Sequence, residues 1–222
     1  MIYNKLIENI FLPIGDLINN SSYKKQLKYW RKIDLSSENE LHNLQIKNLK
    51  KILYHAKNNT TQYKSITLIG NDPEKWLKDF PILQKKDLKK SNNFISIKSN
   101  KNKLIPYSSS GSSGVQSTVY MNKKEQSNIR AILTHWWEWS GYKIGNPLIQ
   151  TGITPNRSNL KKIKDFLFKT IYIDAFSHSE SQLKKICSVL QENKNLYFIA
   201  GYASSLNVIA EYALNNNYSL KV

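Results

Sequence analysis

Arginine and cysteine are scarce in this sequence, and long hydrophobic runs are missing. Only Arg31, Arg130 and Arg157 accompany 30 lysines, and Cys187 is the single cysteine. One cysteine excludes an internal disulfide scaffold and a thiolate zinc cluster. No run reaches the roughly 18 apolar residues that a membrane-spanning helix needs. The sequence therefore predicts no membrane span, and a cytoplasmic location is the default expectation.

The net charge of +17 comes almost entirely from lysine. Lysine and asparagine, which occurs 25 times, both have A/T-rich codons, so an A/T-rich genome would raise the number of both residues together. The basic residues are also scattered, with 20 basic and 9 acidic residues in 1–107 and 13 and 7 in 108–222. Nucleic-acid readers use arginine for bidentate contacts. The composition favours solvated lysines, and a basic domain that binds nucleic acid or an anionic surface stays as the alternative.

The first hundred residues have the spacing of helices. Apolar residues make up 40% of the 222 residues, which is enough for a folded core. Ser37 and Glu40 have the spacing of a capping box at the start of a helix that ends near Asn59. Pro73 has the position of a first helical residue. Residues 1–100 are therefore predicted as a mostly helical N-terminal segment.

Residues 101–222 alternate between short strand-like segments and longer helical ones. This alternation predicts an α/β fold with a parallel sheet and helices packed on it. Residues 218–222 resemble the start of one more strand, so a further C-terminal part is expected. The predicted strands lie near 148–151, 171–174 and 196–199, and the predicted helices near 124–140, 160–168, 179–192 and 204–214.

A tract of small residues lies between two strand-like segments, 104–107 and 118–121. Glycine lets backbone N–H groups converge into a nest that binds phosphate oxygens, and serine hydroxyls add donors. The tract is followed neither by a Gly-Lys-Ser/Thr sequence nor by a helix. It is therefore neither a Walker A loop nor the glycine-rich fingerprint of dinucleotide-binding folds. A flexible linker has the same composition, but the apolar flanks favour a phosphate-binding loop. The tract reads Ser108-Ser109-Ser110-Gly111-Ser112-Ser113-Gly114.

This tract resembles the phosphate-binding loop of the AMP-forming acyl ligases. Two further segments, 80–88 and 201–213, make the wider context similar to the phenylacetate–CoA ligase family, which includes capsular polysaccharide biosynthesis proteins of the CapK type. The resemblance covers about residues 40–222. The chain departs from the family pattern at Ser113, Gln116 and Ala203, where threonine, proline and proline are usual. It has Ser117 where the wider superfamily commonly has lysine. The two further segments begin Phe80-Pro81-Ile82-Leu83-Gln84-Lys85 and Gly201-Tyr202-Ala203-Ser204-Ser205-Leu206.

The resemblance implies the N-terminal portion of an adenylate-forming enzyme, with part of its large domain. A degenerate ligase fold kept as a binding or scaffold protein is the alternative. Such enzymes join a small carboxylate to AMP from ATP with Mg²⁺, then pass the acyl group to coenzyme A or another nucleophile. Catalytic residues are expected beyond Val222, and no metal ligand is assigned. The resemblance assigns phosphate binding to Ser109, Ser110, Gly111, Ser112, Ser113 and Gly114, and substrate binding to Thr151, Gly152, Gly201, Tyr202 and Ser204.

Other polar and aromatic residues are weaker candidates. His135 is expected to be a neutral, partly buried histidine, and Cys187 a small core residue. Asp174 ends a predicted strand and His178 follows it, at the edge where α/β proteins gather functional side chains, although loop capping is the simpler interpretation. The aromatic residues in 136–142 are expected to be core residues, with a base-stacking platform as the alternative.

Overall fold

Helices fill most of the first hundred residues, as the spacing predicts. The computed structural model describes residues 2–84, 86–109, 116–152, 158–174, 179–192 and 198–220. Helices α1 to α5 span Ile2–Leu6, Leu12–Asn19, Tyr23–Ile33, Glu38–Asn59 and Pro73–Lys78. A π-helical turn at Ile7–Phe11 joins α1 to α2, and 3-10 turns lie at Asp87–Phe94 and Lys101–Lys103.

The predicted helix starts near Ser37 and Pro73 are confirmed. The Ser37 hydroxyl accepts a hydrogen bond from the Glu40 N–H at 3.4 Å, and the Ser37 N–H donates to the Glu40 carboxylate at 2.8 Å. The Ser37 N–H and the Ser37 hydroxyl, which lies 2.9 Å from the same carboxylate oxygen, hold the pKa of the Glu40 carboxyl below its ordinary value. Asp72 caps α5 by accepting from the Glu74 N–H at 3.0 Å, with Pro73 in the first turn.

The π-helical turn lets a proline fit inside the N-terminal helix. In an α-helix, the ring of Pro13 would meet the carbonyl group four residues earlier. Here the Leu12 N–H donates to the Ile7 carbonyl, five residues back, and the wider turn relieves this crowding.

The two strand-like segments around the serine tract form an antiparallel hairpin. Strand β1 spans Ile105–Ser108 and β2 spans Thr118–Met121. Their register pairs Ile105 with Met121 and Ser108 with Thr118. The prediction that the tract joins two strands is therefore confirmed.

Helix α6 (Lys123–Trp139) buries a different face from the apolar one that the sequence predicts, which consists of Ile129, Ile132, Leu133, Trp136 and Trp137. Its buried residues are small or polar, among them Ala131 and Thr134. Small side chains let α6 approach α3 closely: the Tyr23 and Thr134 hydroxyls lie 2.6 Å apart, and Trp30 Nε1 donates to Asn128 Oδ1 at 2.9 Å. The core prediction is wrong for two aromatic side chains, since Trp136 and Trp139 are 47% and 67% exposed.

The predicted parallel sheet is confirmed. Strand β3 (Leu148–Gly152) lies between β4 (Thr170–Asp174) and β5 (Phe198–Ala200), and both pairings are parallel. Helices α7 to α9 span Asn159–Leu167, Glu180–Glu192 and Ala203–Asn215. The core lies between β3 and the last two helices, and its buried residues are Ile149, Leu183, Ile186, Cys187, Leu190, Ile209 and Ala213.

The chain divides into two compact units. Unit 1 comprises residues 1–15 and 136–222, and unit 2 comprises residues 16–135. The first holds the parallel sheet, and the second holds the β1–β2 hairpin. The predicted boundary at residue 100, which followed the change from helical to alternating segments, stays a prediction. Within the described residues, no helix is both long and apolar enough to cross a bilayer.

We expect the Cys187 thiol to react slowly with iodoacetamide in the native protein. The thiol is buried, and burial raises its pKa, so both reagent access and the thiolate fraction fall. Urea should bring the alkylation rate to that of an exposed cysteine, measured by peptide mass spectrometry. A Leu214→Cys variant supplies the exposed control, since Leu214 is 77% exposed on α9. Equal native rates at both sites would contradict the packing around Cys187.

Candidate functional site

The serine tract leaves the hairpin through a pair of serines that continue the strand register. The Ser109 N–H donates to the Ser117 carbonyl at 2.9 Å, and the Ser117 N–H donates to the Ser109 hydroxyl oxygen at 3.1 Å. Their two hydroxyls lie 3.3 Å apart. In the adjacent residue pair of the hairpin, the hydroxyls of Ser108 and Thr118 lie 2.8 Å apart. Four hydroxyl-bearing residues therefore close the base of the loop.

These contacts give Ser109 a structural role in closing the loop. Its oxygen accepts a backbone N–H across the hairpin, while its own O–H can still donate to the Ser117 hydroxyl or to a phosphate oxygen. The backbone of Ser117 contributes both a donor and an acceptor to the same closure. The other predicted phosphate-binding residues, Ser110, Gly111, Ser112, Ser113 and Gly114, lie outside the described residues.

A pocket that the sequence did not reveal lies against β2, within unit 2. Its volume is about 270 Å³, near the lower end for small-molecule sites. Thr118 and Tyr120 of β2 line it together with His55 of α4 and Glu125 of α6. The His55 ring Nδ1 lies 3.3 Å from the Asn59 amide nitrogen. No sequence signal could have joined these residues, because α4 and α6 are far apart along the chain.

Three of the predicted substrate-binding residues meet at the carboxyl end of the parallel sheet. The Tyr202 N–H donates to the Thr151 hydroxyl oxygen at 3.0 Å. Thr151 is 6% exposed, whereas Tyr202 is 49% exposed. Gly201 lies so close that a Cβ there would overlap the Thr151 side chain. The structure therefore joins residues fifty positions apart into one corner, defined here as the Thr151 corner (Thr151, Gly201 and Tyr202).

Gly152 adjoins the same edge for a related reason. A Cβ on Gly152 would overlap the hydroxyl of Tyr172 on β4, so only glycine fits beside that ring. The register places Gly152 opposite Asp174, the last residue of β4. Sequence reasoning named Asp174 and missed Tyr172, because the pairing of β3 with β4 is what brings Tyr172 to Gly152. His178 lies outside the described residues.

Ser204 lies in the first turn of α9 and is exposed. Tyr202, which directly precedes α9, occupies the N-cap position with extended backbone angles, and no side chain caps the helix there. The Tyr202 carbonyl accepts from the Leu206 N–H at 3.0 Å. The chain turns from β5 into α9 at this point, so the Thr151 corner adjoins backbone N–H groups at a helix start.

The other polar candidates belong to structural contacts. His135 is buried, as predicted, and its Nε2 lies 2.8 Å from Asp34 Oδ2. Cys187 lies in the core and behaves as the predicted small apolar residue. Across the described ranges, no three His, Cys, Asp or Glu side chains gather into a group that could hold a metal ion.

The comparisons with known proteins identify no family for this chain. A scan against protein-family models, a search of curated proteins and a search of solved structures all find no match. Assignment of function therefore depends on the residues themselves.

We expect Gly201→Ala to destabilise unit 1 by about 1–3 kcal/mol, because the new methyl group would crowd the Thr151 side chain. In a Thr151→Ala background, the same substitution should cost less, since the two closest crowding atoms, Thr151 Oγ1 and Cγ2, are gone and only the Cβ of residue 151 stays close. Urea unfolding followed by circular dichroism would measure both costs.

Gly15→Ala is the matched control, since no atom lies within 4 Å of a Cβ placed there. Equal costs of Gly201→Ala in the two backgrounds would show that the glycine is not required by its contact with Thr151.

Proposed function

We propose that this chain is the N-terminal part of an AMP-forming carboxylate ligase of the phenylacetate–CoA ligase and CapK type. The observation that carries the proposal is the hairpin base, where Ser109 and Ser117 pair across the start and end of the serine and glycine tract. This pairing supports a closed loop on a strand scaffold over a free linker. A closed loop rich in small residues suits the convergent N–H groups that phosphate oxygens need.

In this proposal, the tract from Ser110 to Gly114 binds the β- and γ-phosphates of ATP. The two glycines bring no Cβ to the phosphates, and the three serine hydroxyls add donors. Mg²⁺ would arrive with the nucleotide, bound by phosphate oxygens and water, which is its usual mode in phosphate sites. This mode needs no cluster of acidic side chains in the part of the chain described.

The proposed reaction has two steps. A carboxylate oxygen attacks the α-phosphate of ATP, the bond to the bridging oxygen breaks, and pyrophosphate leaves. A thiol such as coenzyme A, or another nucleophile, then attacks the acyl carbon of the acyl-adenylate and releases AMP. The chain would supply the phosphate loop and, at the Thr151 corner, a wall of the acyl pocket. Gly152 and Ser204 flank that wall in the same proposal.

The α/β region agrees with this proposal at the level of its elements. Parallel strands with helices packed on one side, preceded by a helical segment, suit part of an adenylate-forming large domain. A cytoplasmic enzyme in surface-polysaccharide synthesis is the role that the CapK resemblance suggests.

Titration calorimetry with magnesium-ATP would test the phosphate loop. The double variant Gly111→Val and Gly114→Val should lose binding by tenfold or more, because two β-branched residues obstruct the nest. Gly15→Val serves as the control, since a Cβ there meets no atom within 4 Å. AMP should bind more weakly than ATP, because it lacks the phosphates that the loop is proposed to hold.

Two results would contradict the proposal. One is the absence of ATP binding by the chain. The other is ATP binding that the glycine variants leave unchanged and that heparin displaces, which would point to a general basic surface instead.

A further inference from the structure

The N-terminal helices carry an apolar stripe that the described part of the chain leaves exposed. Ile2, Leu6, Ile10 and Ile14 follow one another at intervals of four residues, with Phe11 beside them. Their exposed fractions are 87%, 39%, 49%, 49% and 36%. A helix that used this stripe for core packing would bury it.

The opposite side of the same helices is fixed to unit 1. Ile7 and Leu12 are 0% and 4% exposed. The Asn4 side-chain amide donates to the Ile144 carbonyl at 2.9 Å and to the Asn146 side-chain oxygen at 2.5 Å. The stripe is therefore exposed on helices held by burial and hydrogen bonds.

A second exposed apolar group adjoins the start of α1. The Tyr3 hydroxyl donates to the Leu167 carbonyl at 2.7 Å, and Lys169 Nζ lies 4.1 Å from the centre of the Tyr3 ring. These contacts place the end of α7 beside α1. On α7, Ile163 and Phe166 are 57% and 82% exposed.

Lysines outnumber acidic residues in the segments that carry these apolar groups and their contacts. The segments 2–15, 143–152 and 158–170 contain six lysines, whereas Glu8 and Asp165 are their only acidic residues. Lysine can lay its alkyl chain along an apolar surface while its ammonium group reaches outward. The six lysines are Lys5, Lys143, Lys161, Lys162, Lys164 and Lys169.

We propose that this surface, which we call the α1–α7 face, binds the anionic surface of a lipid bilayer. The name covers the exposed apolar side chains Ile2, Leu6, Ile10, Phe11, Ile14, Ile163 and Phe166, together with the six lysines. Exposed aliphatic and aromatic side chains next to lysines are the combination that inserts at an interface and attracts acidic headgroups. The excess positive charge disfavours a second copy of the chain as the occupant, because two such faces would repel each other. Nucleic acid would use the lysines and leave the apolar stripe without a partner.

This proposal stands independently of the ligase proposal, since it uses none of the residues assigned to ATP or the carboxylate. It predicts peripheral attachment, with the helices lying at the headgroup level. Such attachment would keep the chain at a membrane surface without any spanning segment.

Vesicle flotation would test the α1–α7 face with the full chain. Vesicles of phosphatidylcholine mixed with phosphatidylglycerol should carry the protein upward, whereas vesicles of phosphatidylcholine alone should carry far less. Ile10→Ser with Ile14→Ser should lower the bound fraction at least fivefold, and Lys161→Ala with Lys162→Ala should do the same. Circular dichroism before flotation would confirm that each variant is folded.

Matched controls separate this face from general apolar or basic surface. Leu35→Ser with Ile69→Ser changes two side chains that are 86% and 77% exposed elsewhere, and should leave flotation unchanged. Lys184→Ala with Lys185→Ala, on the exposed part of α8, should also leave it unchanged.

Three outcomes would overturn the proposal. The first is no flotation with acidic vesicles. The second is flotation that the lysine variants lower and the isoleucine variants do not, which would mean charge attraction without insertion. The third is a concentration-dependent dimer, seen by analytical ultracentrifugation, that Ile10→Ser with Ile14→Ser abolishes, which would identify a second copy as the occupant.

Discussion

The parallel sheet of unit 1 depends on strand β3, because β3 pairs with β4 on one side and with β5 on the other. Leu148, Ile149 and Thr151 are 4%, 1% and 6% exposed, so this strand supplies both ladders and part of the core. Thr151 brings a hydroxyl into that buried strand. The Tyr202 N–H gives it a hydrogen-bond partner, which avoids the cost of burying an unsatisfied polar group.

The same strand shows why glycine occupies two positions at the sheet edge. Gly152 leaves room for the Tyr172 ring, and Gly201 leaves room for Thr151. Neither need arises from a turn. Gly152 is needed because β4 approaches it closely. Gly201, which follows β5, is needed because it lies close to Thr151 of β3. The exposed ring of Tyr202 is thereby held next to buried β3, an arrangement that gives an accessible side chain a fixed base.

The two proposed binding regions rest on separate observations. The phosphate-loop proposal rests on the hairpin in unit 2, whereas the acyl-pocket proposal rests on the Thr151 corner in unit 1.

The exposed apolar side chains of the helices have a different origin. Helix α6 packs through Ala131 and Thr134, so Trp136 and Trp139 stay exposed. The N-terminal helices pack through Ile7 and Leu12, so Ile10 and Ile14 stay exposed. In both places, the side chains that pack closely against a neighbouring element determine which face of the helix is buried.

The sequence by itself determined the local elements of this protein. The Ser37 capping box, the Pro73 helix start, the hairpin around the serine tract and the three parallel strands all follow from interactions within a few residues or from hydrophobic period. It also pointed to Thr151, Gly201 and Tyr202 separately, through strand ends and a resemblance. The tertiary structure decided which of these residues meet, that Tyr172 requires Gly152, and which face of α6 is buried. Those outcomes depend on strand order and helix approach, which join residues far apart in the chain and leave no local pattern to read.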